Sequence, residues 1–267
     1  MTDCQRWRSR RASYRPAGEP IDPSRYGVEV VTERDAKAFV TGHHYSGTYP
    51  AARLRVGLHR VTKSGASALV GVAVFSVPMQ QQVITRWTRQ APEHGVELGR
   101  FVLLDEEPAN AETWFLARAF KVLRAELPEV RAVLSYSDPV PRQTASGETV
   151  MPGHVGTIYR AFNGRFVGRS SSRTILLGPD GRAVSARSIS KVRNGERGAD
   201  YAERQMVSMG APPRDLGESG EAYARRALAC GAFRRQKHPG NLAYVWAFDK
   251  AAQAALMPRV PYPVVQP

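Results

Sequence analysis

Residues 96–139, VELGRFVLLDEEPANAETWFLARAFKVLRAELPEVRAVLSYSDP, constrain the fold most, because they read as one complete strand, helix and strand unit. Residues 96–104 are strand-like. Asn110 stands at the N-cap position and Glu112 in the first turn, where a carboxylate suits the positive end of the helix dipole. Leu116, Ala119, Phe120, Leu123 and Leu127 recur at three- and four-residue spacing, so one helical face is buried, and Pro128 ends the helix. Residues 130–136 are apolar and β-prone enough for the second strand. If the strands are parallel neighbours, the connection is a right-handed crossover. A ligand then sits beyond their carboxyl ends, near residues 105–110 and 135–138.

The remaining elements can be placed around this unit. Residues 27–31 predict a short strand, and Thr32-Glu33-Arg34-Asp35 has the form of a capping box opening a helix through Val40, closed by Gly42. Residues 53–61 and 66–77 are strands joined by a turn at 62–65, and Pro78 ends the second. Residues 86–94 and 140–152 read as polar and irregular. Val155, Ile158, Tyr159 and Phe162 share a helical face, a spacing that makes Tyr159 a core tyrosine. Short strands are expected at 165–168 and 172–177, a turn at 178–181, a helix at 200–209 and an apolar strand at 242–248. The expected fold class is α/β (α+β): a mixed, mostly antiparallel sheet with a central strand-helix-strand unit and flanking helices. Residues 1–26 read as a basic arm, 27–185 as a catalytic domain, and 186–267 as a basic C-terminal extension packed on that domain.

Composition narrows the partners. The formal charge of +14 and pI near 10.3 exceed what solubility requires and favour a polyanion, with nucleic acid first. Three clusters carry the excess. The arm holds Arg6, Arg8, Arg10, Arg11 and Arg15 around Trp7 and Tyr14; a second cluster holds Arg187, Lys191, Arg193 and Arg197; a third holds Arg225, Arg226, Arg234, Arg235 and Lys237. Arg187, Lys191, Arg193, Arg234, Arg235 and Lys237 are assigned to nucleic-acid binding; a solvated face is the bland alternative. Cys4 and Cys230 are too few for a disulfide framework or a cysteine zinc site. No apolar run would span a bilayer, so a soluble intracellular protein with no membrane partner is expected.

Titratable and aromatic groups concentrate in HHYSGTYP, which supplies His43, His44, Tyr45, Ser46 and Tyr49. Helix-capping histidines and core-covering tyrosines are the alternative. Arg86 and Trp87 are available for a phosphate or a stacked base. His43, His44 and His154 with Asp138 would suit iron, but adjacent histidines do not readily face one ion, and no metal ligand is assigned.

The strings HHYSGTYP, ELGRFVLLDEEPANAETWFLARA, LSYSDP and GHVGTIYRAFNGRFVG resemble the Mom family of phage DNA-modification proteins, itself similar to the GNAT acyltransferases. The resemblance covers most of residues 27–185. It implies transfer of a methylcarbamoyl (glycinamide-like) group to N6 of adenine in double-stranded DNA, protecting a phage genome from restriction in the bacterial host cytoplasm. It also implies catalytic roles for His44, Tyr45, Ser135, Asp138 and Tyr159, the last as general acid. His43, Ser46, Tyr49, Arg86, Trp87, Arg100, Tyr136 and His154 are assigned to substrate binding. Tyr45, Tyr49 and Tyr136 are stacking candidates for a flipped base. One departure stands out. Where GNAT enzymes place a glycine-rich pyrophosphate loop, this chain reads DEEPANAETW, without glycine and with Asp105, Glu106 and Glu107 to repel phosphate. The donor is therefore open between glycyl-tRNA and acetyl-CoA. A GNAT enzyme acting on a protein or small-molecule amine, and a non-enzymatic DNA-binding protein, are the competing readings.

Overall fold

The computed structural model describes residues 3–8, 11–16, 18–61 and 65–263, with backbone alone for 3–16. Strands β1 (Asp3–Arg8) and β2 (Arg11–Pro16) pair as an antiparallel hairpin, so the expected arm is structured there; Arg10 and the arm's side chains lie outside the described residues. Strand β3 (Tyr26–Val30) leads to helix α1 (Glu33–His43), where the Thr32 side chain accepts from Asp35 N at 3.2 Å. Gly42 does not close that helix. His43 is its last residue and His44 its C-cap. Strands β4 (Ala52–Val61) and β5 (Ser67–Ser76) follow; the turn between them falls largely outside the described residues.

Helix α2 (Gln82–Thr88) corrects the irregular reading of residues 86–94: Ile84 and Trp87 are buried, and Arg89 closes the helix with φ 59°. Strand β6 (Gly95–Leu103), helix α3 (Ala111–Glu126) and strand β7 (Ala132–Ser137) are the unit read from the sequence, with β6 and β7 parallel. Asn110 holds the N-cap position in left-handed backbone and makes no side-chain cap, so the position is right and the expected capping bond is absent.

Beyond β7 come β8 (Arg142–Gln143), β9 (Thr149–Met151), α4 (Thr157–Ala161), β10 (Arg165–Arg169), β11 (Arg173–Leu177) and β12 (Ala183–Val184). Then follow α5 (Ala186–Asn194), α6 (Ala199–Ser208), α7 (Gly220–Ala229), β13 (Arg234–His238), β14 (Leu242–Ala247) and α8 (Lys250–Ala255). Residues 140–152 thus contain a small hairpin rather than a plain loop.

The main sheet has the order β10-β14-β7-β6-β5-β4-β3, and every neighbouring pair except β6 and β7 is antiparallel. This is the mixed, mostly antiparallel α/β architecture expected. On one face, Phe115, Leu116, Ala119, Phe120 and Leu123 of α3 pack on Leu54, Phe75, Val96, Leu98 and Val133. On the other, Phe39 and Val40 of α1 meet Val72, Val74 and Val102, while Ile84 and Trp87 of α2 meet Leu134 and Val245. Each fully buried Leu or Phe contributes about 1.5–3 kcal/mol, so the covered sheet supplies the rigid frame for the site.

The chain divides into two compact units, and the boundary expected after Ser185 is not where it falls. Unit 1 comprises residues 1–139, 154–170 and 241–267; unit 2 comprises 140–153 and 171–240. The physical reason is β14, which pairs with both β10 and β7 and so makes late residues part of the main sheet. Unit 2 has its own core, in which Val192, Met206, Tyr223 and Ala227 are buried, and its own sheet of order β12-β11-β13.

The acidic run before α3 is partly structural. Glu107 is fully buried, accepts from Tyr26 Oη at 2.7 Å and pairs with Arg60 at 2.7 Å. Burial, then Glu107, pushes the Tyr26 phenol up to about 12. A Glu107→Ala variant is expected to lose about 2–4 kcal/mol of stability in denaturant titration, because it leaves two polar partners without their acceptor.

Candidate active site where two strands part

Strands β6 and β7 pair only from Gly95↔Ala132 to Glu97↔Leu134. Beyond that point they part, and the opening is bridged at its base by Ser135, whose Oγ donates to the Leu98 carbonyl at 3.0 Å. Gly99 supplies an extra residue on β6, since Phe75 pairs with Leu98 and Val74 with Arg100. This bulge re-aims the strand beside the opening.

Tyr159 on α4 meets Ser135 here. Both residues are buried. Burial pushes the Tyr159 phenol up to about 12; the Ser135 side chain opposes this, Tyr45 and Glu97 add to it, and Arg100 opposes it. Tyr159 therefore keeps its proton at neutral pH. If it loses that proton, the serine hydroxyl can turn from Leu98 to the phenolate.

A five-residue helix does not hold itself. α4 and the residues beside it are held by donors from the later chain: Tyr244 Oη donates to the Val155 carbonyl, Trp246 Nε1 to Phe162 O at 2.9 Å, and Tyr262 Oη to Gly164 O at 2.7 Å. The ring of Tyr159 lies edge-on to Trp246 at 5.7 Å and tilted to Tyr244 at 5.4 Å.

Arg100 ties the HHYSGTYP loop to β6. Its Nε and one terminal nitrogen donate to Thr48 O at 3.0 Å and Thr48 Oγ1 at 2.7 Å. Burial lowers its pKa, while Tyr45, Glu97 and Tyr159 favour its charge, so these four side chains share one electrostatic neighbourhood. His44 is buried and its ring lies 4.2 Å from that of Tyr45. Its Nδ1 accepts from Ser46 N at 3.1 Å, so the neutral ring carries its proton on Nε2. The Ser46 hydroxyl lies 2.8 Å from the same nitrogen.

Asp138 and His154 form a second pair, with His154 N donating to Asp138 O at 2.8 Å. Burial drives the His154 imidazole down to about 4, against the pull of Asp138. The folded protein thus binds fewer protons than the unfolded chain between that value and the ordinary histidine pKa near 6.5. Stability is expected to rise with pH through this window and to lose His154's contribution as pH falls. Replacement by Asn is expected to flatten urea-measured stability between pH 4 and 6.5 by up to about one proton's worth.

Several expected site residues lie elsewhere. The His43 ring packs on Phe39 at 4.7 Å, and burial lowers its pKa. Tyr49 packs on the cluster beneath α1. Trp87 is 5% exposed and donates to Tyr136 Oη at 2.9 Å, which commits both rings to the side of the sheet opposite Ser135; neither is a free stacking platform. Arg86 lies over the Trp87 ring at 4.6 Å. Among the described residues no three His, Cys, Asp or Glu side chains converge as a metal site, so the set suggested for iron does not assemble.

Of the basic residues, Arg187 is held by Glu196, and exposed Arg234 donates to Gln143 O at 3.0 Å. Arg193, Arg235 and Lys237 are exposed, and Lys191 is half-buried.

Glu97 is the residue that sequence reasoning missed. It is the last β6 residue paired with β7, and burial raises its carboxyl pKa against the pull of Arg100. The available signal was a lone acid inside the apolar run VELGRF.

The start of α3 does not fit the pyrophosphate cradle of GNAT enzymes. Besides Glu107 and the left-handed Asn110, the preceding backbone is engaged: Ile21 N donates to Ala109 O and Ala109 N to Glu19 O, each at 3.0 Å.

Among curated proteins, a methylcarbamoylase, "Methylcarbamoylase mom" of Escherichia phage Mu, is 28% identical over 173 residues, which is 64% of this chain and 65% of the relative. The chain thus matches about two thirds of that protein's length. A tandem GNAT protein from the clavulanic acid biosynthesis pathway, solved without AcCoA, aligns at a TM-score of 0.41 and 8% identity, covering 83% of this chain and 98% of that one. The Mom family model aligns along residues 25–263, most of the chain and residues of both units, and the chain accordingly belongs to the Mom protein family.

Proposed function

We propose that this protein is a phage DNA-modification transferase that places a methylcarbamoyl group on N6 of adenine and so shields DNA from restriction. The observation that carries this reading is a buried tyrosine, Tyr159, that keeps its proton and is acted on by Ser135 at the parting of β6 and β7, in a Mom family member. Duplex DNA buries N6 in base pairing, so the adenine is flipped out at a cost of a few kcal/mol, offset by phosphate contacts.

Adenine N6 is a weak nucleophile, since its lone pair is delocalised into the ring. Orientation and proton removal supply the rate. His44 serves as a donor through Nε2 rather than as the base. A carboxylate takes the N6 proton, and the raised pKa of Glu97, whose charge acts on the Tyr159 phenol, supports Glu97 in that role. Tyr159 gives its proton to the leaving oxygen of the donor. Solvent returns the proton from Glu97 to Tyr159, which closes the cycle.

The donor that best suits the engaged α3 start is a glycyl ester such as glycyl-tRNA, rather than acetyl-CoA. Transfer first gives an N6-glycyl amide. The free glycyl amine then attacks C6, forming a five-membered ring, and the original N6 leaves C6 as the terminal amide nitrogen. One C–N bond forms and one breaks, which leaves the glycinamide-like group on adenine.

Mass spectrometry of nucleosides from DNA co-expressed with the protein tests this. An adenosine heavier by one glycyl residue is expected. An acetyl increment would assign ordinary GNAT chemistry, and unmodified adenosine would overturn the reading.

A further inference from the structure

We infer that α6 and the turn before it form a duplex-DNA contact surface that enters the major groove, an inference resting on the proposal that DNA is the substrate. Helices α5 and α6 are joined by the four residues 195–198, whose first and last are glycines with φ 62° and 86°. Short glycine-bearing turns of this kind join the helices of helix-turn-helix units. Val192 of α5, Ala202 and Met206 of α6, and Tyr223 of α7 share one buried core. The inward side of α6 is therefore fixed, and its other side faces outward.

Ion pairing sorts the charges of unit 2. Glu196 turns to Arg187, Glu203 to Arg214 and Glu218 to Arg226. These pairs neutralise acids near the helices without using Arg193, Arg197 or Arg204, which are exposed and make no ion pair among the described residues. The three lie on one continuous piece of chain: the end of α5, the turn and α6. The potential left there is positive, which suits phosphate.

The outward side of α6 also carries groups that read base edges. Arg204 lies at its centre, flanked by Ser208 and by Tyr201, which is 63% exposed, with Asp200 in the first turn. Arginine pairs with guanine, a carboxylate accepts from cytosine N4, and hydroxyls bond either way. A solvated face gains nothing from presenting a tyrosine to water. The arrangement matches a helix that contacts bases, with Arg193 and Arg197 on the flanking phosphates.

The test uses the full chain and a labelled duplex titrated across salt concentrations. In Arg197→Ala/Arg204→Ala, the slope of log affinity against log salt is expected to flatten by about 0.9 for each phosphate that the variant no longer neutralises. Arg34→Ala, which removes a surface arginine of unit 1 paired with Asp35, is expected to keep the wild-type slope. Tyr201→Ala is expected to broaden the sequence context of modified adenines in co-expressed DNA. Unchanged slope and context in the α6 variants would overturn the inference while leaving DNA modification intact. Loss of tRNA binding with duplex binding retained would assign the face to RNA and overturn it equally. Failure of the wild type to bind duplex DNA would instead sink the substrate reading on which the inference rests.

Discussion

Replacing Tyr159 by Phe is expected to lower DNA modification about 100- to 1000-fold while the protein remains folded. The ring is held by Tyr244 and Trp246, contacts that phenylalanine keeps, so the variant removes one hydroxyl and its proton. Burial reserves that proton at neutral pH by holding the phenol near 12. Ser135→Ala is expected to cost less, because the phenol keeps its proton and loses only the influence of a neighbouring hydroxyl. Nucleoside yield per unit of folded protein is the readout, with circular dichroism as the control. Wild-type yield from Tyr159→Phe would remove the general acid from the mechanism and leave the tyrosine as a core residue, as its helical spacing alone suggests.

Gly156→Ala is expected to cost roughly 2–5 kcal/mol, from about 1–2 for left-handed backbone and about 1–3 for overpacking. The backbone there has φ 75°, and an added Cβ would lie 2.6 Å from the Tyr244 ring and 3.1 Å from that of Tyr159. Gly156 is also the N-cap of α4, so the same methyl group moves Tyr159. Modification should therefore fall along with the melting temperature. Gly147→Ala separates the two costs: its φ is 87°, yet nothing lies within 4 Å of the added Cβ, so only the backbone strain applies. Equal destabilisation in both variants would show that packing around Tyr159 is looser than these distances indicate.

The sequence shows the central unit clearly because its signals are local. The spacing of Leu116, Ala119, Phe120 and Leu123 marks a buried helix face, and the apolar runs on either side mark strands. What stays hidden depends on distant partners. Tyr136 and Trp87 look like free aromatics until the sheet brings them together at 2.9 Å. Glu107 looks like one more phosphate-repelling acid until Tyr26 and Arg60 take it up. Glu97 looks like the outward residue of an alternating strand, because the parting of β6 from β7 is a property of two chain segments. The unit boundary fails for the same reason: β14 belongs to its neighbours β10 and β7, which composition does not reveal.

The course of the chain through unit 2 has a consequence for how such proteins can be rearranged. It leaves unit 1 twice and each time returns to the spot it left: His154 N bonds Asp138 O at 2.8 Å, and Ser170 N bonds Asn241 O at 2.8 Å. Both excursions are thus closed at their necks by backbone hydrogen bonds that belong to unit 1. Their contents can lengthen or shrink without stretching the frame that carries Tyr159. Selection can then retune unit 2 while the surroundings of Tyr159 are inherited unchanged.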